Sequence, residues 1–248
     1  MLEPLLGQQQ QQQQQQQEQQ QEQQQQQRLQ QQQLVADCTV VPVPPNMIPY
    51  RGLGLSVLER GGEKLQKYLF QQLKKKLQQK QQTELPTFEE YPEESRAYLQ
   101  RVAAEERKQL QPGEVLLTPS FGATQNSSLL AFLAMPYYWQ SSSGEAARRL
   151  SHCFRVCLKQ LNQLNVKTLI VPFVGLGVYG FEPKRAAHTL IQAAIEEMLQ
   201  ADAVNPHYSL SRVDFVEKEI LNSFKLAEAL KDLEALFSFE KQGQPLYY

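Results

Sequence analysis

The chain has 248 residues, with 25 lysines and arginines against 26 aspartates and glutamates. So even a balance excludes a global field that draws the protein to nucleic acid or an anionic membrane, and any anion must be recognised locally. No apolar run approaches the ~20 residues of a membrane span, and Met1–Gly7 lacks the basic start and continuous apolar core of a secretory signal. A soluble intracellular protein, cytoplasmic or nuclear and without membrane contact, is expected.

From Gln8 to Gln33 the sequence is nearly pure glutamine. Such a tract cannot bury enough apolar surface to offset the entropy of ordering it, so residues 1–33 are expected to form a disordered tail. Roughly 210 residues remain, the size of one domain. That domain is placed at 34–240, with a polar insertion at about 71–97 and a C-terminal tail at 241–248.

Thr39 to Val43 is β-branched and apolar, a strand whose Pro42 limits its ladder bonding. The stretch Arg51-Gly-Leu-Gly-Leu-Ser56 predicts a glycine-rich turn feeding a helix with Leu58, Leu65, Leu69 and Leu73 on one side. Lys74, Lys75 and Lys76 read as a solvated helix face, and nucleic-acid contact is not expected there. Ser95–Leu110 predicts a helix stopped by Pro112-Gly113, and Val115–Thr118 and Leu129–Ala134 short buried strands.

Ala147, Leu150, Phe154, Cys157, Leu161 and Leu164 recur at helical spacing, and the apolar run Lys167–Phe173 predicts a strand covered on both faces. Pro183 opens a further helix, followed by a strand at Arg212–Val216 and a helix at Phe224–Phe237. Strands alternating with covering helices predict a three-layer α/β/α sandwich around a central mixed sheet. Cys38, Cys153 and Cys157 read as buried free thiols; even with His152 nearby, no CxxC or HxxxH spacing supports a metal shell, and neither metal nor cofactor is assigned.

Chemistry concentrates in Val171-Pro-Phe-Val-Gly175-Leu-Gly177-Val-Tyr-Gly180-Phe181, where three glycines separate a buried strand from a helix. Bare backbone can turn sharply there, and successive N–H groups near a positive helix end can surround a phosphate. A strand-to-helix turn without a ligand fits the same string. The G-x-G-x-x-G spacing also suits a dinucleotide-binding Rossmann turn, but Pro183 starts the helix after Gly180, and only one more strand follows. No G-x-S-x-G elbow or G-x-x-x-x-G-K-[ST] loop points to an esterase or nucleoside triphosphatase.

Thr168–Ala187 resembles the macro-domain signature, in which a strand ending in proline leads to G-x-G-[IV]-[YF]-G-[FY] and a helix with paired alanines. Gly113–Phe121 is similar to the family's central strand, and Arg212–Val216 with Phe224 to its last strand and helix. The resemblance implies a macro-like fold that binds ADP-ribose or an ADP-ribosylated protein through Gly175, Leu176, Gly177, Val178, Tyr179, Gly180 and Phe181. It also places Asn46, Gly52, Gly54, Leu55 and Ser56 beside the proximal ribose. Val43 stands where the family carries an asparagine and Ser56 where hydrolytic members often place an aspartate, so the resemblance implies binding before catalysis. The adenine-reading aspartate falls near Gln32, with Asp37 the nearest carboxylate. The position of the adenine-stacking aromatic holds Glu217 or Lys218.

Two alternatives stay open at this point. One is an ADP-ribosyl hydrolase using a water held by the diphosphate and Asn46. The other is a degenerate interaction module whose cavity is filled by Leu176, Val178 and Val43. The sequence does not set the oligomeric state.

Overall fold

The computed structural model describes residues 34–49, 51–83, 89–90, 92–204 and 208–241. The elements are β1 (Ala36–Val43), α1 (Gly52–Gln82), α2 (Glu93–Glu106), β2 (Val115–Pro119), β3 (Ser127–Ala134), α3 (Ser143–Gln163), β4 (Thr168–Pro172), α4 (Pro183–Val204), β5 (Arg212–Val216) and α5 (Ile220–Lys241). Short 3₁₀ turns lie at Tyr138–Gln140 and Gly177–Tyr179. The glutamine tract and residues 242–248 lie outside the described residues. Ala36–Tyr248 and Met1–Val35 are separate units.

The sheet has the order β2-β3-β1-β4-β5. Strands β3, β1, β4 and β5 run parallel, and β2 is antiparallel to β3. Period-two alternation splits its side chains between two cores. Cys38, Val40, Ala131, Leu133, Leu169 and Val171 face α3, α4 and α5, meeting Leu150, Phe154, Leu190 and Leu233. Val41, Val43, Leu130, Phe132 and Ala134 face α1, meeting Val57, Leu58, Leu65 and Leu69. This is the three-layer α/β/α arrangement with a mixed central sheet. Both faces of β1 and β3 are covered, as their unbroken apolar runs require.

Two local features differ from the sequence reading. Arg51–Ser56 is not a turn ahead of a helix: Gly52 is already the first residue of α1. Gly54 makes this possible, because a Cβ there would stand 2.8 Å from the Pro42 carbonyl oxygen and 3.1 Å from Val43. The first turn of α1 therefore rests directly on the end of β1. The polar stretch from 71 is also not an insertion outside the helix, since α1 continues to Gln82, with Leu73 and Leu77 packed against the core. A kink at Gly62, with φ 61°, lets the long helix keep one apolar side on the sheet.

The far end of the sheet is tied by Asp37. Its Oδ2 accepts the N–H groups of Lys167 and Thr168, both at 2.9 Å, while its own N–H donates to Thr168 Oγ1 at 2.8 Å. These amides, first that of Lys167, hold the carboxyl below the usual carboxylate range despite some desolvation. The cysteines are free and buried, and desolvation pushes Cys38 up to about 12, so their thiols are inert.

Phe132 is fully buried in the α1-side core, whereas Leu221 is 77% exposed. Phe132→Ala is expected to lower the unfolding free energy by about 3–5 kcal/mol and Leu221→Ala to change it by less than about 0.5 kcal/mol. Urea denaturation of both variants checks this.

Candidate functional site

Parallel α/β sheets open a crevice beyond the carboxyl ends of their strands, where neighbouring chain connections leave in opposite directions. Here the chain leaves β1 for β2, at the edge beyond β3, and leaves β4 for β5 on the other side, so the switch lies between β1 and β4. Their ladder spans only Cys38↔Leu169 and Thr39↔Ile170. Beyond it each strand carries a proline, Pro42 and Pro172, with no N–H to extend pairing. A cleft of about 1220 Å³ opens at this point.

Four segments line it: Pro42 at the end of β1, the first turns of α1, the loop after β4, and the stretch from Val216 at the end of β5 to Asn222 in the first turn of α5. The loop is fixed by its own backbone. Phe173 N–H donates to Val216 O at 3.0 Å, tying the loop to β5. Tyr179 N–H donates to Leu176 O, Gly180 N–H to Gly177 O, and Phe181 N–H to Gly175 O. Gly175, Gly177 and Gly180 all have positive φ, which is why glycine recurs at these positions. Among the described residues, the amides of Gly175, Leu176, Gly177 and Val178 have no acceptor, and Gly177 is exposed toward open space.

Helix ends supply the second source of positive potential. The start of α4 is already occupied, because the Glu182 carboxylate accepts from Lys184 N–H at 2.9 Å and Arg185 N–H at 2.8 Å. Those two amides, Arg185's foremost, hold Glu182 below the usual range. At the start of α5, Glu217 Oε1 accepts from Lys218 N–H and Glu219 N–H. By contrast, α1 begins at the extended Arg51 with no side-chain cap and no acid in its first turn. Its unsatisfied first-turn amides meet the cleft at Gly52, Leu53 and Gly54, followed by Ser56 and Arg60.

Of the residues singled out from the sequence, Gly52, Gly54, Ser56, Gly175, Leu176, Gly177, Val178, Tyr179 and Phe181 line this cleft. Three do not. Asn46 lies in a separate hollow beside Arg101, Glu105 and Lys108, and its Oδ1 accepts Ile48 N–H at 3.0 Å. Leu55 is half-buried beside the cleft, on a helical turn that presents 52, 53, 56 and 60 to it. Gly180 turns its α-carbon to Trp139, where a Cβ would come within 3.2 Å of the indole. Asp37 sits at the opposite end of β1. Leu176 and Val178 pack against the core rather than across the opening, so the cleft is not filled.

Arg51, Arg60, Glu219 and Asn222 line the cleft without a signal in the sequence reading. Only the strand order brings α1 and α5 to one crevice, although the residue following each parallel strand end is a usable signal.

A macro-domain family model matches residues 77–190. Among solved structures, the Oceanobacillus iheyensis macrodomain with ADP has a TM-score of 0.55 at 16% identity, covering 81% of this chain and 85% of that one. The macro domain of ganglioside induced differentiation associated protein 2 gives 0.52 at 14%, covering 79% and 76%. The Trypanosoma brucei macrodomain in complex with ADP-ribose gives 0.51 at 12%, covering 79% and 63%. The chain carries a macro-domain fold. A comparison with curated protein sequences finds no match. The family model's match takes in the glycine loop but not Pro42 or the start of α1, so the second wall of the cleft rests on the fold.

Glu182 provides a check on the loop's anchoring. A carboxyl held below its unfolded pKa contributes stability that is present above the unfolded value and lost as pH falls through the folded one. Glu182→Gln is therefore expected to lower the melting temperature at pH 7, with the difference from wild type shrinking as the pH is lowered from 7 toward 3. Thermal melts at the two pH values measure it.

Proposed function

We propose that this macro domain binds ADP-ribose, free or attached to a protein, with the diphosphate held at the β1/β4 switch point. The observation that carries the reading is the convergence of two unsatisfied backbone donor sets on one open cleft. These are the Gly175–Val178 amides and the uncapped start of α1. Charge-assisted bonds from backbone N–H groups to phosphate oxygens are strong and need no positive side chain. Solved macro domains of the same fold hold ADP or ADP-ribose, which supports the choice of ligand.

The sugars then extend from the diphosphate toward the two ends of the cleft. Ser56 offers a hydroxyl to one ribose, and Tyr179 and Phe181 wall the other. Arg51 and Arg60 add a screened attraction at the rim.

The reading is of a binder. Hydrolysis needs a positioned water and a group to activate it. The carboxylates on the cleft wall, Glu217 and Glu219, are committed to backbone amides at the start of α5 and to Asn222 Nδ2. Asn46, the candidate for holding that water, faces another hollow.

Calorimetric titration with ADP-ribose tests the assignment; folded protein giving no heat at millimolar ligand would overturn it. Gly177→Asp is the informative variant, because Asp tolerates positive φ and its side chain enters open space. It is expected to weaken ADP-ribose binding by at least tenfold, a loss of about 1.4 kcal/mol, through like-charge repulsion. Gly177→Asn, isosteric and neutral, should lose much less. The purified wild-type protein is expected to leave ADP-ribosylated protein substrates intact over hours.

A further inference from the structure

The two edges of the sheet are finished differently. At one edge β2 turns the N–H and C=O of Val115 outward, and both are taken: Gln160 Oε1 accepts the N–H at 3.2 Å, and Lys76 Nζ donates to the carbonyl at 3.2 Å. Pro119 then ends that strand without an N–H. At the other edge β5 carries neither proline nor lysine. Arg212 N–H donates to Lys167 O and Phe173 N–H to Val216 O, so the even-numbered residues of β5 bond to β4, and the backbone of Val213 and Phe215 points outward. Among the described residues no strand pairs with that edge. Bare N–H and C=O groups in a row are a template for another strand.

The helix that follows β5 is open on the same side. α5 meets α4 through Lys184–Glu228 at 3.3 Å and His188–Asp232 at 3.4 Å. On the flank turned away from those pairs, Ile220, Ala227 and Leu230 recur at helical spacing with Phe224 beside them. Ile220 is 72% exposed, Phe224 67% and Leu230 43%. An apolar stripe continuous with an open sheet edge marks a contact surface.

We propose that a second copy of this chain docks here with its β5 antiparallel to the first, giving a two-fold dimer with one continuous sheet. Charge selects both the occupant and the register. Val213 and Phe215 pack toward α3, α4 and α5, so Arg212 and Asp214 stand on the opposite face, 2.9 Å apart along the strand. With Val213 opposite Val213 of the second copy, the two exchange backbone bonds in both directions, and Arg212 of each copy faces Asp214 of the other. Moving the axis to Asp214 would set two carboxylates against each other. The edge is therefore complementary to itself in that register, which an unrelated strand does not match. The same axis lays the two α5 helices antiparallel and brings their apolar flanks together.

The test follows the mass of the full chain by sedimentation equilibrium over a range of concentrations. Wild type is expected to form a dimer that dissociates on dilution. Val213→Pro removes an outward N–H without touching the bonds to β4, and should weaken the dimer by about tenfold or more. Arg212→Asp and Asp214→Arg should each have a similar effect alone, because like charges then face each other on both sides of the axis. Mixed in equal amounts, the two charge variants present an acidic edge to a basic one, and the dimer is expected to return. Each keeps its own crowded charges in the mixture, so recovery reports contact between chains even where a single substitution lowers stability.

A wild type that stays monomeric at every concentration overturns the inference, as does a mixture of the charge variants that fails to associate. Association that survives Val213→Pro, through the glutamine tract or any other surface, overturns it as well. The nucleotide reading is tested separately, because Arg212, Val213 and Asp214 lie outside the cleft.

Discussion

Parallel pairing between β1 and β4 ends after two residue pairs, and the rest of the site is a consequence of where it ends. Two prolines without N–H groups take over, the strands stop sharing a ladder, and the chain leaves them in opposite directions. The mouth of the crevice is lined instead by the Gly175–Val178 loop, whose amides have no acceptor among the described residues, and by the start of α1. Unsatisfied amides are costly when dry but serve as donors when an anion arrives. The phosphate site is therefore a property of the main chain, and side chains act mainly by allowing the backbone to approach.

That explains which side chains matter. Gly54 lets the first turn of α1 sit on β1. The glycines of the 175–180 loop permit positive φ while the internal bonds of Tyr179, Gly180 and Phe181 hold the shape. Glu182 and Glu217 neutralise the two helix ends that flank the loop. Among the helix starts that line the cleft, positive potential is thereby concentrated on that of α1. A net charge near zero is compatible with anion recognition because the recognising field is local and comes from oriented peptide dipoles.

Legibility in the sequence followed the range of the cause. The loop 175–181 was readable because a buried strand, positive-φ glycines and a helix-opening proline are local signals. Strand and helix positions were readable for the same reason, from period-two and helical spacing. Asn46 shows the opposite case: the family resemblance places it beside the ribose, whereas it lies in another hollow with its Oδ1 bonded to Ile48 N–H. The glycine pair at 52 and 54 was read as a turn because local rules associate glycine with turns. In the structure Gly54 is inside a helix, to make room for Pro42, a contact no local rule contains. Arg60 and Asn222 share a cleft although 162 positions separate them along the chain, and only the strand order places them together.

What the sequence alone determined, then, is the set of elements and the chemical character of one loop, since hydrophobic period and glycine torsion act over a few residues. The tertiary structure decided which helix start remains uncapped, which candidate residues face the cleft, and which strand ends the sheet. Those outcomes depend on parallel strands brought together by crossovers, where contacts between distant segments, not neighbours in the chain, settle the direction of each group.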